Sequence, residues 1–209
     1  NSDKNLYDQM LDDYEPGMTQ EKYDVFFAAL KERLVPLIQK ITQAKQKNEA
    51  FLHQEFPIED QKKFMTQLLE YLHFDSSWGY QNESEHPFTS WTCENDCRTT
   101  TKYVKNDVVS AVLSTVHEVG HAYYEHDVDP KYDGMILSEG ISSGMHESQS
   151  RLCENYLART TAFWTYHYPK LQETFPTQLG NVSFDEFYEA INVAKPSFVR
   201  TEADELTYP

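Results

Sequence analysis

Apolar side chains recur at helical spacing along residues 19–47, and that run constrains the fold more than any other feature of the chain. Phe26, Phe27, Leu30, Leu34, Leu37, Ile38 and Ile41 fall on one stripe when wound at 3.6 residues per turn. Thr19 is placed to cap the start, the helix is expected to reach about Lys47, and Pro36 should kink it. Glycine is scarce, at 7 of 209 residues, about half the usual ~7%. So little glycine argues against a turn-dense β sandwich and for long helices.

The same period marks other helices. A short acidic helix is expected over residues 5–15, ending at Pro16-Gly17, and a second from Glu59 to Leu72 with Phe64, Leu68, Leu69 and Leu72 inward. From His73 to Tyr103 the period is lost. Trp78, Tyr80, Phe88, Trp91 and the run Thr99-Thr100-Thr101 favour short strands there. Helix returns at Asp107, a good cap, and carries Val108, Val109, Val112, Val116, Val119 and Tyr123. A loop around Asp129-Pro130 and Asp133-Gly134 leads to a long helix expected from Glu139 to Tyr166. Ser183-Phe184-Asp185-Glu186 is a capping box for a helix ending before Pro196, and Ser197 to Tyr208 again reads as helix. The expected fold is mainly α, with one small β segment near residues 76–103.

Charge narrows the function classes. Lys and Arg number 18 against 34 Asp and Glu, a formal charge of −16. Such a field repels phosphate, so neither nucleic acid nor an anionic membrane is an expected partner. No apolar run approaches the ~18–20 residues that span a bilayer, and the polar start Asn1-Ser2-Asp3-Lys4-Asn5 is no signal peptide. Cys93, Cys97 and Cys153 lack the spacing of a redox pair and are expected as free thiols, which together with the missing signals points to the cytoplasm. Asn1 in first place and a final stretch, Glu202 to Pro209, that stops within helical sequence suggest a fragment of a longer protein.

The chemistry sits in His117-Glu118-Val119-Gly120-His121. Two histidines four apart on a helix share a face about 6 Å apart along the axis, within reach of one Zn²⁺. Glu118 points about 100° round the helix, towards a water that zinc would acidify and whose proton the carboxylate could take. The extended pattern HExxHxxGxxH would need Gly at 124 and His at 127; Tyr124 and Asp127 stand there instead. His126 is offset from the His117/His121 face and reads as a solvated helix-end histidine. A carboxylate on the next helix is the remaining third ligand, with Glu139, Glu147 and Glu154 all eligible by spacing. Were it Glu147, Arg151 one turn on could hold its outer oxygen, although an ordinary i,i+4 surface pair fits the same spacing.

Together with Gly144-Met145-His146-Glu147-Ser148-Gln149-Ser150-Arg151, the pentapeptide resembles the M32 metallocarboxypeptidases. Leu11 to Met18, His86-Pro87-Phe88, Asp96-Cys97-Arg98-Thr99-Thr100 and Val199-Arg200-Thr201-Glu202-Ala203-Asp204 match in family order across nearly the whole chain. The resemblance implies a helical zincin (gluzincin) fold with a deep groove. It implies His117, His121 and Glu147 as metal ligands, Glu118 as general base, and release of single residues from peptide C-termini. Zinc is the implied ion, with cobalt or manganese able to use similar ligands; homodimers are the usual state. By similarity Arg200 would pair with the substrate's terminal carboxylate, while His86, Asp96, Arg98 and Thr100 match positions tied to groove shape and substrate binding. The simpler readings are a salt bridge from Arg200 to Glu202 or Asp204, a turn histidine at 86, and an Asp96–Arg98 bridge.

Family members are more than twice this length and carry a later GxxQDxHW motif, so residues 1–209 are expected to form a single catalytic segment of a longer protein. An oligopeptidase cutting internally, a zinc-binding segment without turnover, and a zinc knuckle from His86, Cys93 and Cys97 are the competing functional readings.

Overall fold

The computed structural model of the chain describes residues 5–45, 47–93 and 95–194. They fall into two compact units. Among the described residues, the first comprises 5–45, Lys47, 142–144 and 193–194. Helix α1 spans Leu6–Tyr14, opened by the Asn5 side chain accepting from Asp8 N at 2.8 Å. Helix α2 spans Gln20–Gln43, and Thr19 caps it as expected, its Oγ1 accepting from Lys22 N at 3.3 Å. The element is one continuous helix through Pro36. Tyr23, Phe27, Leu30, Leu34, Ile38 and Ile41 form a half-buried stripe, whereas Phe26 (54% exposed) and Leu37 (50%) fall outside it.

The second unit covers residues 48–141 and 145–192. Helix α3, Ile58–Tyr71, buries Phe64, Met65 and Leu68. Three strands follow: β1, Gly79–Glu83; β2, Thr89–Cys93; and β3, Asp96–Thr101. β3 is central, parallel to β1 and antiparallel to β2, with Thr89 opposite Thr99 and Trp91 opposite Cys97. This is the small β segment expected near residues 76–103. Helix α4, Val108–His126, lies on β3 and β2. Asp107 caps it, accepting from Ser110 N at 3.0 Å. Strand alternation turns Cys97, Thr99 and Thr101 towards α4, and Thr101 Oγ1 donates to Ala111 O at 3.4 Å.

The single helix expected from Glu139 to Tyr166 is instead three pieces. Glu139 is extended (φ −109°, ψ 158°), and α5 begins only at Ser143 and ends at Arg151. A π-helical segment, Leu152–Leu157, continues it. At Thr160 the backbone becomes extended again, and its hydroxyl caps a new helix, α6, by accepting from Phe163 N at 3.2 Å. α6 spans Thr161–Thr174 and passes through Pro169. Two short helices close the unit, α7 at Pro176–Leu179 and α8 at Phe184–Ile191. The expected capping box is present, Ser183 and Glu186 each satisfying the other's backbone. The helix expected over Ser197–Tyr208, and Arg200 with it, lies outside the described residues.

The core of this unit is aromatic. Phe56 meets Phe175 edge-on at 5.1 Å, and the fully buried Trp164 meets Phe187 at 4.8 Å. No described helix is long and apolar enough to cross a membrane. The cysteines are free, as expected.

Candidate metal centre

α4 sets two rows against each other. Val108, Val109, Ala111, Val112, Val116, Val119 and Ala122 are buried, which orients the helix and leaves His117 and His121 together on a less covered face. Gly120, between them, lets the next helix come close. A Cβ there would fall 2.8 Å from Ser150 Cα and 3.0 Å from Cys153 Cβ. Glycine inside a helix costs up to ~1 kcal/mol, and this approach is what it permits.

The helix brought close carries Glu147, Arg151 and Glu154, spaced by four and then three residues, so all three face α4. Glu147 Oε2 lies 3.3 Å from His121 Nε2 and 3.6 Å from His117 Nε2. Arg151 Nε donates to the outer oxygen, Glu147 Oε1, at 3.1 Å. Glu154 approaches His117 from the other side, its Oε2 2.8 Å from Nδ1. Of the three carboxylates eligible by spacing, Glu147 therefore faces both histidines, and Glu154 backs one of them. Arg151 Nη1 also donates to Glu154 Oε2 at 3.1 Å, and Arg159 lies 3.6 Å from its Oε1.

Electrostatics follow from this packing. Burial works to raise the Glu147 pKa, but the hydrogen bond to His121 and the charges of His117 and Arg151 outweigh it and pull the value down to about 2. Burial likewise opposes ionisation of Glu154, and the bond to His117 with Arg151 and Arg159 nearby still lowers its pKa. For His117 burial disfavours the charged ring, yet Glu154 and Glu147 raise its pKa above the usual value. The two carboxylates, Glu147 and Glu154, are thus paired with His117, His121, Arg151 and Arg159.

The donor set fits a metal. His117, His121 and Glu147 each offer one ligand atom, all within 4.8 Å of one another. A tetrahedral ion with arms of about 2.1 Å has ligand–ligand edges of about 3.4 Å, and the two imidazole–carboxylate separations, 3.3 and 3.6 Å, bracket that value. Two imidazoles and a carboxylate are one of the donor sets that hold catalytic divalent metals, zinc among them. Among the described residues no group built on His86, Cys93 and Cys97 converges in this way, and burial pushes the Cys97 thiol up to about 12.

Glu118 is buried, 5% exposed, and turned towards the sheet. Thr89 on β2 holds it, its hydroxyl 2.5 Å from Glu118 Oε2 and 3.0 Å from the Glu118 carbonyl oxygen. The sequence offered no signal for Thr89, because the contact depends on β2 lying under α4. The other site residues stand apart. Arg98 is exposed and paired with Asp96 through two contacts of 2.8 Å, on the sheet face opposite Cys97 and Thr99. His86 is exposed in the β1–β2 connection, and its carbonyl accepts from Ser84 Oγ at 2.6 Å. Thr100 helps hold that turn, its Oγ1 meeting Ser84 Oγ at 2.6 Å. Among the described residues, no hydrogen bond or ion pair joins His86 or Arg98 to the three ligand candidates.

A sequence profile of the Carboxypeptidase Taq (M32) metallopeptidases matches residues 1–209. The chain belongs to this M32 family. It is 44% identical over 204 residues to Carboxypeptidase 1 of Bacillus subtilis (strain 168), covering 97% of this chain and 41% of that protein. With Thermostable carboxypeptidase 1 of Thermus thermophilus the identity is 38%, over 97% of this chain and 40% of the relative. The crystal structure of the M32 carboxypeptidase from Deinococcus radiodurans R1 superposes with a TM-score of 0.91 at 39% identity, covering 96% of this chain and 40% of that one. The M32 chain thus spans about two-fifths of the length of the curated relatives it matches.

Proposed function

We propose that residues 1–209 form the catalytic segment of a zinc-dependent carboxypeptidase that releases single residues from the C-termini of peptides. The observation that carries this reading is the convergence of His117 Nε2, His121 Nε2 and Glu147 Oε2 beside the buried Glu118, in a chain of the M32 family. Zinc held by these three residues would supply Lewis acidity towards a peptide carbonyl and towards water.

The rest is the work of the chain's own side chains. Arg151 holds Glu147 Oε1, and Oε2, which also accepts from Ser150 Oγ at 3.1 Å, is the oxygen turned to both histidines and so the one to meet the metal. Thr89 fixes Glu118 through Oε2, leaving Oε1 to take a proton from the attacking water and pass it to the leaving amine. Burial of Glu118 keeps its reach constant between those two transfers. Arg200, His86 and Arg98 are the residues proposed to meet the peptide; Arg200 offers a fork of donors suited to a terminal carboxylate. Homodimers, implied by the family resemblance, and residence in the cytoplasm, suggested by the free cysteines, complete the reading.

A mass-spectrometric time course of the zinc-loaded 209-residue chain with a free-ended peptide tests the activity, with Glu118→Gln alongside. The expected result is a ladder losing one residue at a time from the C-terminus, absent in the variant. Equal cutting of free and C-terminally amidated peptides would point to internal cleavage. An uncut peptide over a zinc-loaded chain would leave a metal-binding segment without turnover.

A further inference from the structure

His117 and His121 are both supported from behind, but by different chemistry. Glu154 faces His117 Nδ1 at 2.8 Å. An ionised carboxylate only accepts, so Nδ1 donates and the lone pair is left at Nε2, on the side of Glu147. No carboxylate faces His121 Nδ1 among the described residues. Its neighbour at 2.7 Å is another imidazole nitrogen, Nδ1 of His146. Two ring nitrogens at that distance share one proton, and nothing local decides which ring donates it.

The decision is made on the far side of His146. Its Nε2 lies 2.6 Å from Oε1 of Glu125, one turn beyond His121 on α4. The carboxylate takes the Nε2–H, so a neutral His146 presents its lone pair at Nδ1, and His121 must donate from Nδ1. We infer that Glu125 and His146 form a positioning relay that fixes His121 with its lone pair at Nε2, the atom facing Glu147. The inference deepens the metal-centre reading and rests on it.

Three further observations support the relay. Glu125 is 8% exposed, and its second oxygen, Oε2, is buried without a hydrogen-bond partner. A buried carboxylate satisfied on one side only is costly to stability, which fits a group kept for what it does to His146. Gly140 closes over the pair. Its N–H donates to Glu125 Oε1 at 3.2 Å, and a Cβ there would fall 2.7 Å from His146 Cδ2 and 3.0 Å from Glu125 Oε1. The Tyr124 ring stands nearly perpendicular to His146, 5.0 Å between centroids, and limits its rotation.

Two measurements test the relay on the full 209-residue chain. The first is a long-range ¹H–¹⁵N spectrum of the metal-free, histidine-labelled protein, taken above the ordinary histidine pKa range. The expected tautomers are Nδ1–H for His121 and Nε2–H for His146; protonation of His121 at Nε2 would overturn the relay. The second is the zinc dissociation constant by chelator competition. His146→Leu should weaken zinc about 10–100-fold, while His146→Asn, whose amide oxygen can stand in for Nδ1, should stay within about threefold of the parent. Equal weakening in both variants would mean that His146 only fills space, and the relay would be wrong. A parent chain that shows the expected tautomers but binds no zinc would retire the metal-centre reading and uphold the relay.

Discussion

Helices α2 and α4 are both long and both carry apolar residues at helical spacing, yet they end in opposite states. None of the 24 residues of α2 is buried, whereas twelve of the 19 in α4 are. The spacing of apolar residues thus specifies a helix and the direction of its apolar face, and burial depends on what lies against that face. α4 has β2 and β3 on one side and the π segment on another. Once it is covered on two sides, polar groups on its flanks, Glu118 and Glu125, are drawn under the surface too. There they gain partners set by the packing, Thr89 for Glu118 and His146 for Glu125.

The contrast can be broken most directly by deleting one ring on each side. Phe64, 1% exposed in the second unit, should cost about 3–5 kcal/mol when changed to Ala, and Phe26 on α2 no more than about 0.5 kcal/mol. Urea unfolding of the two variants measures both, and similar losses would erase the distinction. A smaller effect concerns pH. His167 on α6 is 1% exposed, ringed by Phe64, Tyr71, Phe163 and Tyr166, with Nε2 unpartnered. Burial, with Lys170 nearby, depresses its pKa from 6.5 to about 4. Between those values the unfolded chain takes up a proton that the folded one refuses, so this contribution is complete above 6.5 and is lost as pH falls towards 4. The expected slope is at most about 1.4 kcal/mol per pH unit, and His167→Phe should flatten it. Unchanged acid sensitivity in that variant would assign the loss to other groups.

The smallest effect uses the caps. Asp107→Ala should lower the main unfolding transition by about 1 kcal/mol, while Thr19→Ala should leave that transition in place and reduce only helical signal from α2. An equal shift from both would mean that α2 unfolds together with the core.

Much of this is legible in the sequence alone. Thr19, Asp107 and the Ser183–Glu186 box are local signals, and each caps the helix that its neighbours imply. The i,i+4 histidines share a face as spacing requires, and the loss of helical period after His73 marks the sheet. The break between Leu152 and Thr160 was not legible, because a π turn changes winding without changing which residues are apolar. The roles of Glu147 and Glu154 were not separable either: seven residues apart, they share one helix face, and only the position of His117 between them assigns each to a different ring nitrogen. Thr89 and Glu125 act through contacts that their own neighbours in sequence do not foreshadow.

Gly120 has a mechanical consequence. Side chains that separate two helices act as springs, since each can change rotamer and let the gap breathe. At Gly120 the helix meets Ser150 Cα and Cys153 Cβ with no side chain of its own between them. The gap therefore has a hard stop and no soft torsion to absorb motion. The edges between Glu147 and the two histidines inherit that stiffness, so the ligand set is a gauge block rather than a flexible clasp. Its dimensions should hold with rising temperature until the helices themselves part.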